Sequence, residues 1–227
     1  MMRLLLLMAF LSLGVARAAA EPVPPELDAA LRQLNTDAPP GWAFTQTSEG
    51  GERSRTERYR ALGPEPARWD LLAVDGRPPT EGEVEEYRKH QALRAGVGRA
   101  PNVKEQIDPA TAEQVASTET HAVWQFRLRP LTEDDDWAEF MVAQFHLNRG
   151  TGTIDRVELF APEPFSPMFA VKVTEARTVM VYSPPGDDRP SLLQEITVRI
   201  RGRAWLFRSL DSDLTVRYSD YRYVGKR

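Results

Sequence analysis

The stretch LLQEITVRIRGRAWLFRS, residues 192–209, followed by Leu210-Asp211-Ser212-Asp213 and the closing run Leu214 to Val224, decides the architecture. Ile196, Val198, Ile200, Ala204 and Leu206 fall at even spacing and share one face of an extended strand. Arg199, Arg201 and Arg203 fall on the other face. Two β-branched runs separated by four turn-forming residues leave room for a hairpin, and none for the helix that a parallel crossover requires. The reading is a pair of antiparallel strands, apolar on one side and wet on the other.

The same signal repeats toward the N-terminus. Phe169 to Tyr182 is a second long β-branched run. Ala143 to Leu147 and Ile154 to Phe160 flank Asn148-Arg149-Gly150-Thr151-Gly152, a hairpin connection. His121 to Arg129 alternates, with Ala122, Trp124, Phe126 and Leu128 on one face. Trp42, Phe44 and Gln46 alternate with Ala43, Thr45 and Thr47, and Glu49-Gly50-Gly51-Glu52 turns the chain into a return strand over Arg53 to Ala61. Trp69 to Val74 is a third strand, stopped by Asp75-Gly76. Consecutive hairpins without intervening helices predict a single antiparallel meander.

Helices are few. Leu27, Ala30, Leu31 and Leu34 recur at helical spacing behind Pro24-Pro25. Thr80 and Glu83 form a capping box that opens a helix to about Arg94, ending at Gly96. Residues 96–117 are polar and hold Gly96, Gly98, Pro101 and Pro109, and they read as a mobile segment. Thr132 to Met141 reads as a short helix starting on an acidic turn. The fold class expected is α+β: one curved antiparallel sheet, a half-barrel meander, with an N-terminal helix and a helical lid or insertion over residues 80–117.

Residues 1–20 have the layout of a secretory signal: Arg3, an apolar run from Leu4 to Val15, and small residues at Ala16, Ala18 and Ala20. The run is short for a membrane span, which needs roughly 20 apolar residues. Cleavage is expected after Ala18 or Ala20, leaving residues 21–227 as one domain with no transmembrane segment. Loss of Arg3 and Arg17 takes the 29 basic residues to 27 against 33 acidic ones, moving the net charge from −4 to −6. That balance opposes a general nucleic-acid binder. The chain has no cysteine, so no disulfide staples it and no lipid attaches at the cleavage point. Disulfide-free export fits a bacterial periplasm.

Little catalytic patterning survives inspection. His90, His121 and His146 stand apart without metal-ligand spacing, and no G-x-S-x-G elbow or phosphate-binding loop is present. No metal or cofactor is expected. Asp134-Asp135-Asp136 reads as the charged start of a helix rather than a cation site. The arginines at 199, 201 and 203 read as the solvated face of a half-wet strand. Pro162-Glu163-Pro164-Phe165-Ser166-Pro167 is a rigid connector or a partner-binding segment. Trp42, Phe44, Trp69, Trp124, Phe126, Trp205 and Phe207 all fall on predicted strands. Alternation selects Trp42, Phe44, Trp69, Leu71, Trp124 and Phe126 as the lining of an apolar ligand cavity, if the interior is hollow.

The order of these elements resembles the periplasmic lipoprotein-carrier superfamily (LolA/LolB-like), the half-barrel group that includes the outer-membrane lipoprotein-sorting proteins. The resemblance is carried by the short helix Leu27 to Leu34, the strand Gly41-Trp42-Ala43-Phe44-Thr45-Gln46-Thr47, and the Gly-Gly hairpin. Trp69-Asp70-Leu71-Leu72 with Val74-Asp75-Gly76, and the closing Ser219-Asp220-Tyr221, extend it. It implies a sheet wrapped about an apolar cavity that holds acyl chains, with helices as a lid. The helix after Pro78-Pro79 and the segment 96–117 then correspond to an enlarged lid. The function expected is a non-enzymatic periplasmic binding protein for an acyl chain or lipid-modified partner. The alternative is an envelope protein-protein interaction module with a packed interior and no lipid ligand.

Overall fold

β-Branched residues at every second position pair in register, and in this chain nearly every such run finds its sequence neighbour as a partner. The structure, a computed structural model, describes residues 23–36, 38–64, 67–97, 102–131, 135–205 and 208–225. The signal expected over residues 1–20 lies outside them, as do Asp134, Leu206 and Phe207. The helices are α1 (Pro25–Gln33), α2 (Glu81–Val97) and α3 (Val103–Gln106). The strands are β1 (Trp42–Glu49), β2 (Arg55–Tyr59), β3 (Trp69–Val74), β4 (Glu113–Ser117), β5 (His121–Arg127), β6 (Val142–Asn148), β7 (Thr153–Phe160), β8 (Val171–Tyr182), β9 (Leu193–Ala204), β10 (Arg208–Ser209) and β11 (Ser212–Tyr223).

All pairings are antiparallel, in the order β3-β2-β1-β11-β9-β8-β7-β6-β5-β4, with β10 also on β9. The sheet is curved and does not close, so the α+β reading of a single antiparallel sheet holds. One junction joins distant parts of the chain: β1 lies against β11, with Thr47 opposite Arg217 and Gln46 opposite Tyr218. Gly50, in the β1–β2 turn, sits at φ +93, and a Cβ there would come within 2.1 Å of the Asp213 carbonyl oxygen. Only glycine lets this turn lie against the start of β11.

The register defines an inner face, the one that carries the helices. Ala122, Trp124 and Phe126 of β5, Ala143, Phe145 and Leu147 of β6, and Ile154 and Val157 of β7 form its main core. Leu27, Ala30 and Leu34 of α1 complete that core. At the other end of the sheet, α2 packs on β3 with Tyr87 and Val74 buried. Its capping box is formed: Thr80 N–H donates to Glu83 Oε2 at 2.8 Å, and Glu83 N–H donates to Thr80 Oγ1 at 3.3 Å. Arg77 donates to both Glu83 oxygens and holds that carboxyl well below the usual carboxylate range.

Three expectations are corrected. The polar segment 96–117 contains α3, a short 3-10 turn (Pro109–Thr111) and β4. Two of its apolar residues decide this: Val103 and Ile107 are buried in the main core, and Lys104 Nζ donates to the Leu34 carbonyl left free at the end of α1, at 2.6 Å. Of the helix expected over residues 132–141, residues 132–134 lie outside the described ones, and the described remainder holds a 3-10 turn, Ala138–Phe140. The run 192–209 is not one strand. Trp205 takes a left-handed backbone (φ +51) and the chain reverses there, so that Arg208 pairs with Ala204. Residues 210–213 carry no reversal: the Asp211 carboxylate accepts the Gly202 N–H, and β11 begins at Ser212.

The outer face is polar. Gln144 donates to Gln125 Oε1 at 2.9 Å, and Glu158 is gripped by Arg156 (2.7 Å) and Arg177. Arg177 also lies 5.0 Å from the centre of the Phe160 ring. His146 stands in this layer with Nε2 buried and 3.5 Å from Glu158. Burial holds its imidazole below the usual range, and the Glu158 carboxylate works against that shift.

Two outcomes follow. Phe126 is fully buried against Phe145, so Phe126→Ala should cost about 3 to 5 kcal/mol in denaturant unfolding. The His146 effect has a defined sign. The unfolded chain takes up a proton near pH 6.5 that the folded chain resists, so stability falls as pH drops through that value and is unaffected above it. His146→Gln should flatten the fall in melting temperature between about pH 7 and pH 5, whereas the paired carboxylates act only below about pH 4. An unchanged slope would refute the burial argument.

Candidate functional site

Between the two covered regions no described helix lies on the inner face. Register places Met180 of β8 opposite Ile196 of β9, and Ile196 opposite Val216 of β11; Val198 faces Leu214, and Ile200 faces Ser212. Ile196, Val198, Ile200, Leu214 and Val216 thus form one apolar stripe across two adjacent strands, with Met180 at its edge packed against the main core. All are half-buried, and none reaches the full burial of the residues under α1. The described helices pack at its flanks, α1 on β7 and α2 on β3. The strands place these side chains because each sits at an even position of an unbroken two-residue alternation.

The six residues expected to line a cavity divide between the flanks. Phe44 is buried in a cluster of rings with Tyr59 (5.0 Å), Tyr221 (5.3 Å), Tyr218 (5.6 Å) and Trp69 (5.9 Å). Trp42 packs edge-on against Tyr223, next to this cluster in register. Leu71 borders a cavity of about 30 Å³ with Val74 and Tyr87 beneath α2. Trp124 and Phe126 belong instead to the core under α1, with five strands between β5 and β1 in the sheet order. The structure therefore joins Trp42, Phe44, Trp69 and Leu71 on one wing and leaves Trp124 and Phe126 on the other. The central stripe lies between them.

Polar groups near the stripe are few and mostly satisfied. Burial pushes the Tyr218 hydroxyl up to about 12 and raises Tyr221 as well. Tyr221 donates to the Leu193 carbonyl at 2.6 Å, and buried Glu57 accepts from Gln46 at 2.7 Å. Trp124 differs: its indole N–H is buried with no acceptor among the described residues. An unpaired buried donor costs about 1 to 3 kcal/mol, and a ligand oxygen beside it would recover that.

The remaining sequence candidates take structural places. Asp213 accepts from Arg199 (3.2 Å) and Arg201 (2.7 Å), which makes that arginine stripe an exposed ion-pair row. Asp135 accepts from Gln106, and no group of three His, Asp or Glu side chains gathers as a metal site among the described residues. His121 lies 2.8 Å from Asp155 on the outer face, and His90 lies on α2. In the proline-rich connector, Phe165 is buried against Phe140 and Trp137 and bridges to Val173, so the segment is part of the sheet's packing.

Sequence reasoning missed a surface at the far end of β8 and β9. An open groove of about 1490 Å³ lies there, bordered by Met168, Phe169, Val171, Lys172, Arg203 and Trp205. The available signal was Met168-Phe169, two large apolar residues following a proline in a connector rather than a strand.

No family model matches the chain, and no curated protein sequence does. No described helix is long and apolar enough to cross a membrane. Among solved structures, the chain is similar to a DUF1329 family protein from Desulfovibrio piger, at 10% identity over 91% of this chain and 95% of that one, with a TM-score of 0.37. It is also similar to MucB in complex with MucA(peri), at 13% identity over 88% and 97% of the two chains, with a TM-score of 0.22. A MucA/MucB complex of Pseudomonas aeruginosa gives 13% identity, 88% and 98% coverage, and a TM-score of 0.22. These superpositions span most of each chain but are loose.

Proposed function

We propose that this chain is a periplasmic, non-enzymatic binding protein of the lipoprotein-carrier type, holding an acyl chain or a lipid-modified partner against the inner face of its sheet. The observation that carries this reading is the half-buried stripe of Ile196, Val198, Ile200, Leu214 and Val216. Apolar side chains aligned on one face, with the described helices only at the flanks, offer a surface on which an elongated apolar ligand can lie. Burying a methylene there contributes about 0.8 kcal/mol. Trp42, Phe44, Trp69 and Leu71 form one wall of the site. Trp124 and Phe126 form the far end of the site beneath α1, where the orphaned Trp124 N–H would meet an ester or amide carbonyl.

The alternative, an envelope protein-protein interaction module without a lipid ligand, has its own observation. β4 stands at a sheet edge with all five residues exposed, and an open edge accepts a partner's strand.

Lipid extracted from protein purified out of native envelopes, read by mass spectrometry, tests the first reading together with binding of a fluorescent acyl probe at micromolar concentration. The parent should carry or bind acyl chains. Val198→Glu with Val216→Glu should weaken the probe about ten-fold or more, with the circular dichroism spectrum retained. Absence of both co-purified lipid and probe binding in the parent would sink the carrier reading. A co-purifying protein lost on truncating β4 would then favour the alternative.

A further inference from the structure

At the end of the β8–β9 ladder farthest from its connecting loop, large apolar side chains stand in solvent beside unneutralised cations. Met168, Phe169 and Trp205 are 57%, 92% and 70% exposed. They are not on a loose tether. Trp205 N–H donates to the Ala170 carbonyl at 2.7 Å, and both residues hold left-handed backbones, at φ +51 and φ +63. Such conformations are costly for non-glycine residues and persist where the surroundings enforce them. The close approach that enforces them is local: a Cβ on Gly202 would meet the Lys172 carbonyl at 2.6 Å.

The charges nearby are arranged against their own repulsion. Lys172 and Arg203 are direct cross-strand partners, both exposed. Like charges in that position destabilise a sheet. Neither has an acidic or hydrogen-bonding partner among the described residues, and the same is true of Arg208, which pairs through its backbone with Ala204. Arg199 and Arg201, farther along β9, are neutralised by Asp213. The acid in the groove, Asp211, accepts the Gly202 N–H. On a chain of net charge −4, three unpaired cations around three protruding apolar groups form a local patch of opposite sign.

We propose that this end of the sheet docks on a bilayer bearing anionic headgroups. Met168, Phe169 and Trp205 enter the interfacial layer, and Lys172, Arg203 and Arg208 meet the headgroup phosphates. Aromatic and apolar groups that project beyond a rim of cations match the membrane–water boundary, where indole rings concentrate and each cation adds to the attraction. The site shares β9 with the stripe on the inner face but uses none of the stripe's residues.

Sedimentation with vesicles tests this, using the full chain as parent and variants. One vesicle set contains phosphatidylglycerol with phosphatidylethanolamine, and the other phosphatidylcholine alone. The parent should partition to the anionic vesicles, less so at high salt. Lys172→Glu with Arg203→Glu, and separately Phe169→Ser with Trp205→Ser, should each lower that partition about ten-fold or more. Val198→Glu with Val216→Glu should bind vesicles as the parent does, and Phe169→Ser with Trp205→Ser should keep acyl-probe binding, so the two readings fail independently. Equal binding to both vesicle sets, or variants at this end that bind like the parent, would overturn the proposal. Loss of a co-purifying protein with vesicle binding unchanged would make the surface a protein interface and overturn it equally.

Discussion

The ladder between β1 and β11 is the contact on which the rest of the sheet depends. Every other pairing joins strands close in sequence, but this one brings the first strands onto the last. Closing a loop of that length costs about 4 to 5 kcal/mol of chain entropy before any contact returns it. With no cysteine in the chain, the return comes from the ladder's backbone hydrogen bonds and its side chains, without a covalent link. Phe44 meets Tyr218 and Tyr221, Arg217 bridges Glu49 at 2.7 Å and Glu195 at 3.1 Å, and Gly50 seats the turn on Asp213. The exposed ion pairs add little, so the ring cluster is the larger contribution. Without this seam, β1 to β3 would be a small sheet with α2 on one side and no continuous inner face.

The seam also determines which apolar surface stays open. α1 is only nine residues long, and α3 is anchored beside it through Lys104. Together they cover β5 to β7 and reach Tyr182 and Met180 of β8 and Leu193 of β9, but not the middle of β9 or β11. α2 has few apolar residues, and it uses Tyr87 to cover β3 while its charged surface faces water. The strands between, β9 and β11, have the same alternation as the covered ones but no helix seated on them. A protein that needed only stability would cover Ile196, Val198 and Val216, as each gains from leaving water.

How much of this could be read from the letters follows from the range of the interactions. The strands Trp69–Val74 and β6 to β8, the Gly50-Gly51 turn and the Thr80–Glu83 cap are local patterns, and sequence spacing contains them. Trp205 was not legible: the alternation from Ile196 continues through Ala204 and Leu206, and only the tertiary bond to Ala170 shows the reversal. α3 was hidden because its burial depends on two residues, Val103 and Ile107, in a polar surround. The division of the six site residues into two wings was equally out of reach. Alternation reports which face a residue takes but not which strand will stand beside it, and the order β1-β11-β9 is fixed by the non-local seam.

The two surfaces of the β8–β9 ladder are physically continuous although they are tested apart. Ile196, Val198 and Ile200 run along one face of β9 toward Gly202 and Ala204, and Trp205 follows directly. An apolar path therefore leads from the uncovered middle of the inner face to the protruding rings at its end. Gly202 is the one position on that path without a side chain, and it is forced to be so by the Lys172 carbonyl. If an acyl chain occupies the stripe and the rings enter a bilayer, the chain passes from one apolar medium to the other along β9. Crossing water would forfeit the burial energy of every methylene in transit. The same strand then explains why the cations cluster at this end: headgroup phosphates would lie where Lys172 and Arg203 already repel each other.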